Sequence, residues 1–129
     1  MIRRTRERGA AAVEFALILP ILLVLIGGIV DFGRAFFAQV VITNAAREGA
    51  RAAVVGADAS ARAAAAASGL PSAPAVTAGS CPSTGSAQVT VTVVTPFDWI
   101  LLGPALSLIP GPELLPDQLT ASATMQCGG

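Results

Sequence analysis

One carboxylate stands alone within the most apolar stretch of this sequence. The 21 residues from Ala10 to Val30 contain a single charged side chain, that of Glu14. A helix of this length rises about 1.5 Å per residue and therefore spans a hydrocarbon layer of roughly 30 Å. An aspartate at the centre of such a span costs roughly 2.5–3.5 kcal/mol, and an acid nearer the end costs less. An acid kept at this cost is a candidate functional residue, and it needs a partner.

The nine residues before the apolar run are basic and end in glycine. Four arginines and one glutamate give them a formal net charge of +3 (4 − 1), and Gly9 directly precedes the run. Positive charge beside a span keeps that end in the cytoplasm, so the C-terminal part is expected on the opposite side. Cleavage after Gly9 would create an α-amine on Ala10 that attracts Glu14 of a neighbouring chain. The alternative is a Glu14 that only reaches the lipid headgroups from near the helix end.

The composition argues against catalysis and against nucleic-acid binding. The chain has no histidine and no lysine, which excludes a histidine-based triad, a Schiff base and a P-loop lysine. In the C-terminal part of the chain, the acids Asp98, Glu113 and Asp117 show no spacing that predicts a catalytic pair. Residues 10–129 hold four arginines and seven acids, a net charge of −3 (4 − 7), so no basic surface is expected there. We therefore predict no catalytic residue, no cofactor, no small-molecule substrate and no nucleic-acid partner.

The two cysteines, Cys81 and Cys127, both follow the apolar run. A head of about 70 residues has difficulty burying enough apolar surface on its own. A disulfide that closes a loop of about 47 residues would contribute roughly 4 kcal/mol in the chain-entropy model. We predict this disulfide, with two free thiols as the alternative. A metal site is not expected, because two cysteines without histidine form a poor ligand set.

Two sequence segments within the first 55 residues resemble a known family. The first is Arg-Gly-Ala-Ala-Ala-Val-Glu-Phe-Ala-Leu-Ile-Leu-Pro at 8–20; the second combines Phe-Gly-Arg-Ala-Phe-Phe at 32–37 with Thr-Asn-Ala-Ala-Arg-Glu-Gly-Ala-Arg-Ala at 43–52. Together they resemble the TadE-like pseudopilins, minor pilin-like proteins of the tight-adherence (Flp-type) pilus system. In such families a prepilin peptidase, an intramembrane aspartyl protease, cuts after the glycine.

The resemblance implies a processing site, partners and a location. Gly9 and Ala10 would form the cleavage site, and Glu14 would act in processing and assembly. The implied partners are the membrane, the prepilin peptidase, other pilin-like subunits and the pilus assembly platform. The protein would be a single-pass membrane protein with a cytoplasmic N-terminus and an extracytoplasmic head, in the periplasm or at the cell surface.

The pattern of the whole chain predicts an α+β protein with a pilin-like long N-terminal membrane helix. We expect a leader at 1–9, a transmembrane and stem helix at 10–55, and a small head at 56–129. Gly56 favours the left-handed turn that ends a helix, and Asp58 can cap a second helix over 59–67.

Two alternating segments predict a short antiparallel sheet in the head. Residues 88–95 and 119–127 each place apolar side chains on one face, which we expect to pack on the stem helix. Residues 68–86 are predicted to form a loop because glycine and proline recur there. The apolar segment 97–115 has two interpretations: a loop that covers the core, or an exposed patch for a membrane or partner. The side chains assigned to such a patch are Phe97, Trp99, Ile100, Leu101 and Leu102.

Several stem residues are candidates for packing between subunits. Pro20 favours a kink, and its alternative role is that of an ordinary membrane-helix proline. Asp31 and Arg34 can pair on one face, either as a charged flank of the span or as a contact between subunits. The small residues around Arg47 would allow a second helix to approach closely, and the alternative is that Arg47, Glu48 and Arg51 form a solvated helix face. The complete set of packing candidates is Pro20, Phe32, Phe36, Arg47, Glu48 and Arg51.

Two other functions fit parts of the sequence. A signal-anchored envelope protein with a binding head and no pilus role would need no cleavage at Gly9. A secreted protein cut by ordinary signal peptidase would need small residues after the apolar run, and Gly33-Arg-Ala35 matches that requirement poorly.

Overall fold

The computed structural model of the protein describes residues 3–83 and 86–128, with side chains from residue 9 onward. Six elements follow one another along the chain: α1 (Arg3–Val54), α2 (Ala59–Ala66), β1 (Ala75–Ala78), β2 (Gln88–Pro96), α3 (Leu102–Ser107) and β3 (Gln118–Gln126). The start of the predicted leader and its arginine side chains lie outside the described residues. The long N-terminal helix and the small antiparallel sheet confirm the predicted α+β fold.

The chain divides into two compact units. The anchor unit comprises Met1–Gly33 and Trp99–Leu114, and the head unit comprises Arg34–Asp98 and Leu115–Gly129. The head unit thus includes the second half of α1, and the anchor unit includes α3.

In the anchor unit, α1 is apolar and solvent-exposed on all sides between Gly9 and Ile26. Pro20 lies inside this helix, and the helix continues past it. Within the described residues this is the one helix long and apolar enough to cross a membrane, with a mean hydropathy of 2.7 over its best window. Exposure of leucine, isoleucine and valine in every direction is the pattern of a helix surrounded by lipid.

The C-terminus of α1 has a defined cap in the head unit. Gly56 adopts a φ of 73°, which glycine tolerates because it has no Cβ. The N–H of Gly56 donates to the carbonyl of Ala53 at 3.2 Å, and the N–H of Ala57 donates to the carbonyl of Ala52 at 2.9 Å. This pair of hydrogen bonds is a Schellman motif, and it ends the stem where the sequence predicted. Asp58 then caps α2 by accepting from the N–H of Ala61 at 3.0 Å.

The sheet of the head unit has three strands in the order β1-β2-β3, all antiparallel. The predicted pairing of the two long strands is confirmed, with Val91 opposite Ala123. The predicted loop at 68–86 is wrong in one part, because β1 lies within it and adds a third strand. Four residues, Ala-Val-Thr-Ala, are too few for a recognisable alternation, so β1 depends on its pairing with β2.

The core of the head unit is built mainly from small side chains. Fully buried Val89, Val91 and Val93 project from β2 onto α1, where Ile42 is the largest buried residue. Most of the remaining core consists of alanines on α1 and α2. Gly49 lies at their closest approach, since a Cβ built there would be 3.0 Å from the Ala63 Cβ. Such a core buries little apolar area per residue, so it gains from a covalent cross-link.

Candidate functional site

The predicted cleavage site lies on an open stretch of α1. Gly9, Ala10 and Glu14 are all exposed, and a Cβ built on Gly9 would meet no atom within 4 Å. Ala10 and Glu14 are four residues apart, which places them on the same face of the helix one turn from each other. A protease or a second helix can therefore approach this face without displacing any described part of the chain.

The predicted packing residues on the stem are exposed as well. Phe32 is 59% exposed and Phe36 is 74% exposed. Neither belongs to the buried core of the head unit, whose α1 residues begin at Ala38. Phe37 and Val40 were not among the predicted packing residues, but they extend the same exposed apolar surface. A single-sequence pattern cannot show where along a helix its covering layer begins.

The charged stem residues contact the second helix. The Glu48 carboxylate lies 3.8 Å from a guanidinium nitrogen of Arg51 and 3.9 Å from that of Arg62 on α2. These side chains remain well exposed, so each ion pair contributes little to stability. Arg47 is exposed. An open groove of about 510 Å³ lies beside this cluster, lined mostly by alanine and by Glu48, Arg51, Asp58 and Arg62.

The carboxylate of Asp31 in the anchor unit is fully buried. One oxygen accepts from the N–H of Ile100 at 3.1 Å. The other accepts from the N–H groups of Leu101 at 2.9 Å and Leu102 at 2.8 Å. The sequence predicted that Asp31 can pair with Arg34, but it did not predict these bonds. No sequence signal links an acid to backbone amides about 70 residues away.

The apolar segment after β2 fits neither of its two predicted roles completely. In the head unit, Phe97 is buried, which corrects its assignment to an exposed patch. There the Arg34 guanidinium lies 5.2 Å from the Phe97 ring centre and donates to the Asp98 carbonyl at 3.2 Å. In the anchor unit, Ile100 and Leu101 are exposed, whereas Trp99 and Leu102 are only half-buried.

The start of this segment packs against two glycines of the apolar run. A Cβ built on Gly27 would lie 2.7 Å from the Leu101 Cβ, and one on Gly28 would lie 3.7 Å from a Leu102 methyl. Trp99 packs edge-on against Phe32, with ring centres 5.6 Å apart. The segment is thus fitted to the C-terminal end of the apolar run.

Cys81 and Cys127 form a disulfide in the head unit, with their Cα atoms 5.7 Å apart. Cys127 is buried, and its N–H donates to the carbonyl of Ala87 at 2.8 Å. The cross-link ties the end of β3 to the chain before β2. Among the described residues, no group of three or more His, Cys, Asp or Glu side chains is arranged to hold a metal ion.

These features define an α+β protein with one long apolar N-terminal helix and a small head that contains a three-stranded antiparallel sheet. Residues 9–51 match the family model described as TadE-like protein, which confirms the resemblance noted from the sequence. The match begins at Gly9 and covers the exposed apolar helix and the charged stem, one third of the chain (43 of 129 residues). Over this third the chain is similar to TadE-like proteins, and the matched residues include most of the described helix that is long and apolar enough to cross a membrane. Neither the curated proteins nor the solved structures yield a match.

Proposed function

We propose that this protein is a pseudopilin that a prepilin peptidase cuts after Gly9 and that supports assembly of a tight-adherence pilus. The observation that carries the proposal is the family match, which starts at Gly9 and extends along an exposed apolar helix. The subunit would be held in the membrane by α1 with its N-terminus in the cytoplasm and its head outside. Other pilin-like subunits and the pilus assembly platform would be its partners.

Assembly would proceed through packing of the stem helices. Cleavage gives Ala10 a positive α-amine, and the exposed Glu14 offers the opposite charge within one helical turn. When two stems lie side by side in low dielectric, attraction between the amine of one and the carboxylate of the other sets their register. Phe32 and Phe36 supply apolar area for the same contact, because both are more than half exposed.

The cleavage is tested by the intact mass of the membrane-extracted protein from cells with and without the prepilin peptidase. We expect a chain beginning at Ala10 only where the peptidase is present. A Gly9→Leu variant should stay uncut, whereas Gly33→Leu, a matched change on the same helix, should be cut normally. An uncut wild-type chain in peptidase-positive cells would instead favour a signal-anchored envelope protein.

The charge-pairing step has a separate test. Glu14→Gln keeps the size of the side chain but removes its charge, so processed protein should accumulate while pilus number falls. Pili are counted by electron microscopy, and cleavage after Gly9 is measured by intact mass. The two measurements separate an effect on assembly from an effect on cleavage. Normal piliation by the Glu14→Gln variant would refute pairing through this carboxylate.

A further inference from the structure

The segment from Trp99 to Leu114 is apolar yet poorly buried within the anchor unit. Its single charged side chain is that of Glu113. Leu108 is 84% exposed, Ile109 is 61% exposed and Ile100 is 57% exposed. Several exposed apolar side chains in one short segment indicate a surface that contacts an apolar partner or a membrane.

Its contacts place the segment beside the bilayer. Leu101 and Leu102 pack on Gly27 and Gly28, which belong to the 21-residue run that spans the hydrocarbon layer. These glycines lie in the last turn of that run, because Asp31 follows Gly27 by about 6 Å of helix. Leu101 and Leu102 therefore lie at the end of the span, where acyl chains meet headgroups, and the exposed side chains belong to the same short segment. Trp99, which packs on Phe32, is of the residue type enriched at that depth.

Asp31 makes this position tolerable for the backbone that leads into α3. Free N–H groups are costly near the hydrocarbon, where little water is available to accept from them. The Asp31 carboxylate accepts from three consecutive amides at the point where the segment is closest to α1. The same bonds remove a buried charge from contact with lipid.

We propose that Trp99–Ile109 is a membrane-docking loop that lies in the interface of the leaflet at the Gly27 end of the span. Leu108 and Ile109 insert among the upper acyl chains, and the Asp31 hydrogen bonds hold the loop against α1. The protein thus contacts the bilayer through a second element besides its spanning helix. The inference requires only the membrane anchor and is independent of cleavage and of any pilus role.

The test uses fluorescence from a single tryptophan, since Trp99 is the only tryptophan of the chain. In a Trp99→Phe background, Leu108→Trp places the fluorophore on the loop. A Leu23→Trp reference reports the spanning helix, and a Ser60→Trp reference reports the exposed surface of α2 in the head unit. The full chain is reconstituted in phosphatidylcholine vesicles that carry bromine either near the glycerol end or near the methyl end of the acyl chains.

We expect the loop tryptophan to be quenched most by bromine near the glycerol end. Its quenching by aqueous iodide should be several-fold weaker than that of the Ser60→Trp reference. Strong iodide quenching without bromine quenching would show a loop in water and overturn the proposal. A blue-shifted emission that neither reagent quenches would show cover by protein, such as a second copy, and would overturn it too. Ile109→Trp in the same background repeats the measurement at a second site.

Discussion

Removal of the Asp31 carboxylate is expected to release the start of the apolar segment from α1. The two oxygens accept three backbone N–H bonds, from Ile100, Leu101 and Leu102. Asparagine is nearly isosteric, but it has one acceptor oxygen and an NH₂ group that only donates. It can retain at most the two bonds made by one oxygen, so at least one amide loses its partner. Alanine removes all three bonds.

The magnitude follows from the burial of the site. Asp31 is completely buried, so solvent does not screen or replace its hydrogen bonds. A buried N–H without a partner costs about 1–3 kcal/mol, and about 1.4 kcal/mol corresponds to a factor of ten. Asp31→Asn should therefore raise amide exchange at residues 100–102 by about tenfold, in the range of 5- to 150-fold. Asp31→Ala should raise it further, up to the limit set by complete detachment of the segment.

Hydrogen–deuterium exchange of the full chain in detergent micelles measures this effect on peptides that cover residues 98–106. Glu14→Gln is the matched control, because it removes an exposed acid from the same helix and should leave these peptides unchanged. Peptides from β2 and β3 should exchange as in the wild type. Unchanged exchange at residues 100–102 in Asp31→Ala would show that the carboxylate does not hold the segment, and the reasoning would fail.

Three further predictions concern the stability of the head unit. Replacing Cys81 and Cys127 by serine removes a link between residues 46 apart and should lower the free energy of unfolding by about 4 kcal/mol. Urea unfolding of the oxidised and the reduced protein checks this prediction, and equal unfolding midpoints would contradict it. Gly49→Val should destabilise the head unit by about 1–3 kcal/mol, because its Cβ would meet atoms at 3.0 Å. Gly33→Val is the control and should change stability little, because its Cβ would meet no atom within 4 Å. Thermal melting compares the two variants. Asp58→Ala should cost about 1 kcal/mol through loss of the α2 cap, and an unaltered melting temperature would argue against it.

The parts of the fold that the sequence predicted are those with local causes. Gly56 ends α1 because glycine readily adopts a positive φ. Asp58 caps α2 because its carboxylate accepts from the N–H of Ala61, three residues later in the chain. The valines of β2 alternate with threonines, so the strand and its inward face are both readable from the chain. The third strand, β1, has no such signal, since its few residues are ordered by pairing with β2 rather than by their own pattern.

In the candidate site, too, the sequence predicted the residues with a local signal and missed the contacts with distant segments. Gly9 and Glu14 were identified because a glycine junction and a lone acid in an apolar run are visible in a short stretch of sequence. Asp31 was selected for its neighbour Arg34, and its hydrogen bonds with backbone amides of a distant segment were not predicted. Backbone donors carry no side-chain signature, so a contact of this kind is found only in three dimensions.

Glu14 and Asp31, two acids of α1, have different environments, and this difference assigns them different roles. Asp31 is fully buried and its oxygens are engaged by three amides, so a neighbouring subunit cannot reach it without opening the anchor unit. Glu14 lies on an exposed face one turn from the proposed new N-terminus, where a second chain can approach. Of these two acids, Glu14 is therefore the one that can contact another stem, and Asp31 serves folding within its own chain. The measurements above separate these roles, because Glu14→Gln should reduce piliation without altering amide exchange at residues 100–102, and Asp31→Asn should increase that exchange without preventing cleavage after Gly9.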